Sequence, residues 1–315
     1  MDCRTGDRRE AELAGLFITG GSGFLGRNLL PVLALESSRT IFVLSRDKNR
    51  ALEKLPAVPN LQVLAADLAE PDRYRSALSE CATVLHLAAA TGKAKAADYY
   101  RVNAAGTETL LAACEKAGVK NFLFVSSIAV KFPEKKYYHY ALAKEQGENW
   151  VRGSRLRYTI LRPTIIIGKG SPALAGLARL ACLSRPVVFG SGKTMVQPIS
   201  VADLAQAIGE IVSADRFSGE TLELGGRESL SIEDFMMRIR EFLKGKRVSA
   251  EHWPLAPTIR LLGLLEKFLS PILPLNAGQL YSFRYDGLAA PNDLSTRLSP
   301  HFRSVDQMLE ESLCQ

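Results

Sequence analysis

The sequence contains no CxxC pair, and its four histidines do not flank the cysteines at metal-ligand spacing. Cys3, Cys81, Cys114, Cys182 and Cys314 lie far apart along the chain. That excludes a zinc ribbon or finger and gives no disulfide framework, so a reducing, cytoplasmic setting and no metal are expected. No stretch reaches the ~20 apolar residues of a membrane-spanning helix. The N-terminal stretch carries Asp2, Arg4, Asp7, Arg8, Arg9 and Glu10 with no apolar core, so no secretory signal is expected. Internal repeats and low-complexity tracts are also missing, which excludes solenoids and disordered arrays. Charge of one sign is nowhere concentrated. The net charge is +7, but apart from short groups such as Lys131/Lys135/Lys136 and Arg152/Arg155/Arg157 the basic residues are scattered. This pattern is a solvated basic surface rather than a nucleic-acid footprint, and no nucleic-acid partner is expected.

What is present is a globular composition. Of 315 residues, 47% are hydrophobic, enough for one large α/β domain with an appended lobe, or for two modest domains. The first half alternates strand-like and helix-like segments. Short apolar runs at 16–19, 40–44, 61–66, 83–87, 121–126 and 158–161 read as strands. Helical periodicity covers 24–35, 99–117 (closed by Gly118) and 138–151. Such alternation implies parallel βαβ units in a doubly wound sheet, and near-continuous apolar strands suit a sheet covered on both faces. After Pro163 proline and glycine become frequent, with helices expected at 201–212, 232–243 and 258–269. The expected fold is a Rossmann-type doubly wound parallel sheet with a smaller, mostly helical C-terminal substrate lobe. Residues 1–167 would form the dinucleotide-binding domain, with 198–224 packing back onto it, and 168–315 the lobe.

Thr19-Gly20-Gly21-Ser22-Gly23-Phe24-Leu25-Gly26 lies between the first strand and the first helix. Glycines there permit a tight turn, close approach of backbone to a pyrophosphate, and packing of helix on sheet. The helix N-terminus offers free N–H groups to phosphate. Asp67-Leu68 ends the third strand, where a carboxylate can accept the adenine amino group or simply cap a turn before Pro71. Ala88-Ala89-Ala90 follows the fourth strand with side chains small enough to let a cofactor near the backbone. In Tyr140-Ala141-Leu142-Ala143-Lys144 the tyrosine and lysine stand at i and i+4 on one helix face. A cation beside a phenol favours phenolate, so Lys144 is expected to lower the Tyr140 pKa and make it a proton donor to a ketone or acceptor from an alcohol. Ser126-Ser127 ends the fifth strand, where a hydroxyl can meet the substrate oxygen or satisfy local backbone.

Taken in order, TGGSGFLG, Asp67-Leu68, HLAAA at 86–90, Val102-Asn103 with Gly106-Thr107, VSS at 125–127, YALAK, LRPT at 161–164 and Val201-Ala202-Asp203-Leu204-Ala205 resemble the extended short-chain dehydrogenase/reductase superfamily, the NAD-dependent epimerase/dehydratase group. The likeness runs from Phe17 to Ile208 and is loose beyond Gly225. It is nearest the hydroxysteroid dehydrogenase and dihydroflavonol reductase branches, with parts similar to the atypical branch that holds an accessory subunit of respiratory complex I. The resemblance implies that Tyr140 is the general acid/base, that Lys144 holds the nicotinamide ribose, and that Ser127 holds the substrate oxygen. It further implies that Asn103 braces the site, and that Pro163, Thr164, Ile165 and Ile166 run along the carboxamide.

Departures narrow the chemistry. Nucleotide-sugar members of the group often carry an asparagine where isoleucine stands after Pro163, and an arginine where Met195–Ser200 has none. Sugar dehydratases carry Asp-Glu where this chain has Ile128-Ala129, which sets dehydration aside. The second strand ends Ser45-Arg46-Asp47. An acid closing that strand selects NAD, whereas a hydroxyl and a guanidinium suit the NADP phosphate. NADP is therefore expected over NAD, with Asp47 as a shifted ribose ligand the competing reading. The leading expectation is an oxidoreductase for a small, largely apolar alcohol or ketone. The alternatives are an epimerase that retains its cofactor and a non-catalytic dinucleotide-binding subunit. Residues 253–275, rich in leucine, suggest a substrate lid or a peripheral contact with the inner face of a membrane. The oligomeric state stays open, a homodimer included.

Overall fold

The computed structural model describes residues 15–36, 39–269 and 277–314. Its centre is a seven-stranded parallel sheet. In chain order the elements that matter are β1 (Gly15–Thr19), α1 (Phe24–Glu36), β2 (Ile41–Ser45), β3 (Leu61–Ala65), β4 (Cys81–His86), α2 (Gly106–Ala117), β5 (Asn121–Val125), α3 (His139–Gly153), β6 (Arg157–Pro163), α4 (Pro172–Ala181), α5 (Val201–Ser213), β7 (Glu220–Leu224), α6 (Ile232–Lys244), α7 (Leu255–Leu269) and α8 (Val305–Leu313). The strand order is β7-β6-β5-β4-β1-β2-β3, and every neighbouring pair is parallel. The chain reverses direction across the sheet between β1 and β4, the switch point at which such sheets bind ligands beyond their carboxyl ends.

Both faces of the sheet are covered, as the apolar strands require. On one face α1 and α5 bury Leu29, Leu30, Leu33, Leu204, Ile208 and Ile211 against Ile18, Val43, Leu85 and Leu123. On the other, Leu110, Leu111, Cys114 and Val151 pack on Phe17, Phe42, Val84, Phe122 and Phe124. A third cluster lies in the second half of the chain, where α4, α6 and α8 share Leu174, Leu177, Phe235, Met236, Ile239 and Met308. Leu222 and Leu224 of β7 belong to the first cluster, because that strand, contributed by the second half, pairs with β6.

Two features differ from the sequence expectation. β7 is not among the strands read from periodicity, since its polar residues Glu220 and Glu223 interrupt the apolar run. The helix expected as continuous over 99–117 is a short helix (Ala96–Tyr99), a π-helical stretch (Tyr100–Ala105) and α2. Such π segments shift side-chain register and are frequent at functional sites. Cys3, the charged N-terminal stretch and residues 270–276 lie outside the described residues, so only part of the apolar stretch 253–275 is seen. In that part Leu255, Ile259 and Leu262 pack with Val187, Phe189 and Leu280, while Trp253 and Leu261 are exposed. Among the described residues no helix is long and apolar enough to cross a membrane.

Candidate active site

The carboxyl edge of the sheet carries an elongated cleft of about 690 Å³. Its floor is the glycine turn. Gly20 has φ +75°, and a Cβ there would come within 2.6 Å of the Ala88 nitrogen. Gly26 is just as constrained, since a Cβ would meet the carbonyl oxygens of Gly21 and Gly20. Gly23 differs: a Cβ would meet only the Gly20 oxygen, at 3.0 Å, and the residue lines the cleft. The first and last glycines thus let strand, turn and helix close on each other, while the middle one keeps the cleft open. That division of labour fits a pyrophosphate lying over the turn at the start of α1. Phe24 and Leu25 pack into the core rather than line the cleft.

At one end the cleft reaches Ser45, Arg46, Asp67 and Leu68, which sequence reasoning placed there. The Asp67 carboxylate accepts from the Ala69 nitrogen through Oδ1. Asp47 caps the short helix Lys48–Leu52, accepting from the Arg50 nitrogen, and the Ser45 hydroxyl donates to the Asp47 carbonyl. Arg50 and Lys54 line the cleft beside Arg46 and were missed from sequence. Arg50 lies on the short helix Lys48–Leu52, with Arg46 just before it and Lys54 just after it, and the cluster of basic residues 46, 50 and 54 was the available signal.

Further along, Ala88, Ala89 and Ala90 form the wall. Asn103 is fully buried and clamps Ala90 from both sides. Its Oδ1 accepts from the Ala90 nitrogen (2.7 Å) and its Nδ2 donates to the Ala90 carbonyl (3.0 Å). The π segment positions this amide, and Gly147 of α3 allows the approach, since a Cβ there would sit 2.7 Å from the Asn103 carbonyl.

A second buried polar group, also missed, is His86 at the end of β4. Its Nδ1 meets Thr19 Oγ1 at 2.6 Å and its Nε2 meets Thr107 Oγ1 at 2.9 Å. Thr107 in turn donates to the Asn103 carbonyl, which assigns the proton to Nε2. Burial, and then the charge of Lys144, push the His86 pKa down to about 3. Between that value and its ordinary pKa the unfolded chain holds the extra proton, so this group's contribution to stability falls as pH falls from about 6.5 toward 3. The His86 ring resonances are expected to show no titration between pH 8 and 5; a midpoint near 6.5 in the folded protein would contradict the buried neutral assignment.

The catalytic candidates come from β5 and α3. Lys144 is buried; its Nζ donates to the Val125 carbonyl at 2.6 Å and lies 4.4 Å from the Phe124 ring centroid. Burial lowers its pKa to about 7, while Glu148 acts to raise it. Tyr140 is half-buried, with the rings of Tyr99 and Tyr138 each 5.9 Å away. Its pKa is raised to about 12 by burial, with a hydrogen bond from Ser127 working the other way. This corrects the sequence expectation. The lysine does not set the tyrosine pKa, because its side chain runs under the helix to β5 instead of along the helix toward the phenol. Ser127 caps the turn Ile128–Lys131, accepting from the Ala129 nitrogen, so its hydroxyl hydrogen remains to serve as a donor. Ser126 points elsewhere, donating to buried Glu148 at 2.6 Å.

Pro163, Thr164, Ile165 and Ile166 lead from the main sheet into the second half of the chain. Thr164 donates to the Gln197 carbonyl, and Ile166 pairs with Ile199 in a two-residue parallel ladder. None of the four lines the cleft. Around Tyr140 an aromatic group assembles that the sequence did not announce. Phe132 stacks with Tyr138 and meets Tyr285 at 5.6 Å, and Tyr137 meets Tyr281 at 6.1 Å. Among the described residues no cluster of His, Cys, Asp or Glu can hold a metal ion.

A cleft floored by a glycine turn at the switch point of this sheet, with Tyr140 and Lys144 on α3 and Ser127 after β5 outside its lining residues, defines a class of dinucleotide-binding proteins. The model of the NAD(P)H-binding family matches residues 20–215. The chain belongs to that family, within the extended short-chain dehydrogenase/reductase superfamily. It is 40% identical over 127 residues to a 3 beta-hydroxysteroid dehydrogenase/Delta 5-->4-isomerase of Mycobacterium tuberculosis, covering 38% of this chain and 33% of that protein. It is 31% identical over 193 residues to a ceramide reductase of Caulobacter vibrioides, covering 60% and 57%. With a UDP-glucose 4-epimerase of Vibrio cholerae it shares 29% identity over 212 residues, covering 59% and 62%. The matches therefore span less than two thirds of each of these relatives. Among solved structures, the Bordetella bronchiseptica enzyme WbmH in complex with NAD+ superposes with a TM-score of 0.71 at 16% identity, covering 96% of this chain and 97% of that one. An epimerase of Methanothermobacter thermautotrophicus gives 0.72 at 17% identity, covering 98% and 93%. These two likenesses establish the fold.

Proposed function

We propose that the chain is an NADP-preferring oxidoreductase acting on a small, largely apolar alcohol or ketone. The observation that carries this reading is the Tyr140 phenol hydrogen-bonded to the Ser127 hydroxyl just beyond the end of β5, in a sheet whose cleft is lined by the glycine turn and Ala88–Ala90. A phenol whose pKa lies above neutral holds its proton there, and it can give that proton to a carbonyl oxygen as hydride arrival makes the oxygen basic. Ser127 donates to the same oxygen and polarises the carbonyl. The glycine turn, Asp67, Ala88–Ala90 and Lys144 would hold the cofactor, which supplies or accepts the hydride when bound. Asn103 fixes the Ala90 backbone against which it lies.

The apolar substrate is supported by the aromatic group around Tyr140 and by the lack of arginine in Met195–Ser200. A diphosphate leaving water needs charge-assisted partners. The relatives named as a hydroxysteroid dehydrogenase and a ceramide reductase agree with this reading; the one named as a UDP-glucose epimerase keeps cofactor-retaining epimerisation as the second.

The NADP preference is supported by Arg46, Arg50 and Lys54 at one end of the cleft, and by Asp47 being engaged as a helix cap. NADP is expected to bind wild type at least tenfold more tightly than NAD. Arg46→Ala and Arg50→Ala should each remove much of that gap while sparing NAD, as removal of a phosphate partner does. Dissociation constants for both dinucleotides check this, and equal weakening of both in Arg46→Ala would reject the assignment.

A further inference from the structure

Glu148 belongs to no part of the machinery described so far, yet it is the most thoroughly engaged carboxylate in the described chain. It stands on α3 four residues beyond Lys144 and is fully buried. Its Oε1 accepts from the Ser126 hydroxyl at 2.6 Å and from Arg162 Nε at 2.8 Å. Its Oε2 accepts from Arg162 at 2.6 Å and from Arg152 at 2.7 Å. Three elements are thereby tied at one point: α3, the end of β5 and β6. The network continues outward, since Arg162 also faces Glu223 of β7, which pairs with Lys131 at 2.8 Å and accepts from the Ala290 nitrogen.

A buried carboxylate held by two guanidiniums is costly to assemble and adds little to stability against an apolar replacement of the same shape. Its position suggests another use. Ser126 immediately precedes Ser127, and Val125, whose carbonyl takes the Lys144 ammonium, precedes Ser126. The three consecutive residues Val125, Ser126 and Ser127 thus engage Lys144, Glu148 and Tyr140, which follow one another at four-residue steps along α3.

We propose that Glu148 is a positioning residue of the active site, which locks the end of β5 in register with α3 and keeps a negative charge beside the Lys144 ammonium. This rests on the Tyr140/Lys144 reading above. Among the described residues, the charged and titratable groups facing Lys144 are Glu148 on its own helix and His86 on β4; β5 offers the Val125 carbonyl and the Phe124 ring. His86 is neutral, so Glu148 is the group that opposes the burial penalty on the lysine. Without it, burial alone acts, and Lys144 loses its proton at lower pH. Ser126 then also loses its acceptor, and the strand end that presents Ser127 is free to shift.

The test follows the Lys144 titration directly, by NMR of the full chain carrying 13C-labelled lysine, with the signal assigned through Lys144→Arg. In wild type Lys144 is expected to titrate near 7. In Glu148→Gln the midpoint should fall by about one unit, a tenfold change in the proton equilibrium, and the basic limb of kcat should move with it while substrate KM holds. A merely structural carboxylate would lower stability and leave the midpoint in place, and a folded Glu148→Gln with an unmoved midpoint overturns the proposal. Where Glu148→Gln does not fold, Arg152→Gln removes a half-exposed guanidinium from the same carboxylate and should raise the Lys144 midpoint; no change there overturns it equally. The titration needs no turnover. A shifted midpoint alongside an active Tyr140→Phe would sink the functional reading and leave the positioning role standing. An unmoved midpoint alongside a dead Tyr140→Phe would do the reverse.

Discussion

Tyr140→Phe is expected to lower kcat about a thousandfold while leaving the dissociation constant of the dinucleotide within twofold of wild type. The magnitude is that of a positioned general acid, about 10²–10⁴ in rate. The substitution removes one proton and one oxygen and keeps the ring, which packs against Tyr99 and Tyr138. The glycine turn and the basic residues Arg46, Arg50 and Lys54 line the cleft, Tyr140 does not, and their geometry is kept. Loss confined to kcat is the mark of a group used in the transition state and not in ground-state binding. Full activity in a folded Tyr140→Phe would move the chemistry to another residue; equal absence of turnover in wild type and variant would favour a non-catalytic, dinucleotide-binding role.

Gly23→Val and Gly20→Ala should part company, although the two glycines are three residues apart. Gly23 faces the cleft and has only the Gly20 oxygen near its missing Cβ, so a branched side chain there occupies space needed by phosphate. Dinucleotide affinity should fall at least a hundredfold with little change in melting temperature. Gly20 sits in the left-handed region, and even a methyl group would strike the Ala88 backbone at 2.6 Å. Left-handed strain alone costs about 1–2 kcal/mol, and the clash adds to it, so Gly20→Ala should lose stability first and binding as a consequence. Paired melting curves and binding isotherms check both. A Gly23→Val that binds normally would make the whole turn a packing device.

The sequence carried the sheet because its strands are short apolar runs buried on both faces, a pattern that survives without tertiary knowledge. It carried the turn and the Tyr140/Lys144 pair because their spacing is local. It did not carry β7, whose Glu223 is recruited by Lys131, Ala290 and Arg162 from distant parts of the chain. Nor did it reveal the Glu148 and His86 networks, whose partners lie up to 67 residues away. The sign of the Tyr140 shift was misjudged for a related reason. Four-residue spacing brings two side chains to one face of a helix, but where a lysine ends depends on what lies beneath. Here that is the Val125 carbonyl.

Transfer of label tests the central claim most directly. The protein is given NADPH deuterated on the nicotinamide and two panels in parallel, apolar ketones and UDP-sugars, with the alcohols analysed by mass. The account predicts one deuterium on the carbinol carbon of an apolar product in wild type, and none with Tyr140→Phe. A UDP-sugar converted to its 4-epimer with no deuterium passed from the added NADPH, and no ketone reduced, would contradict it.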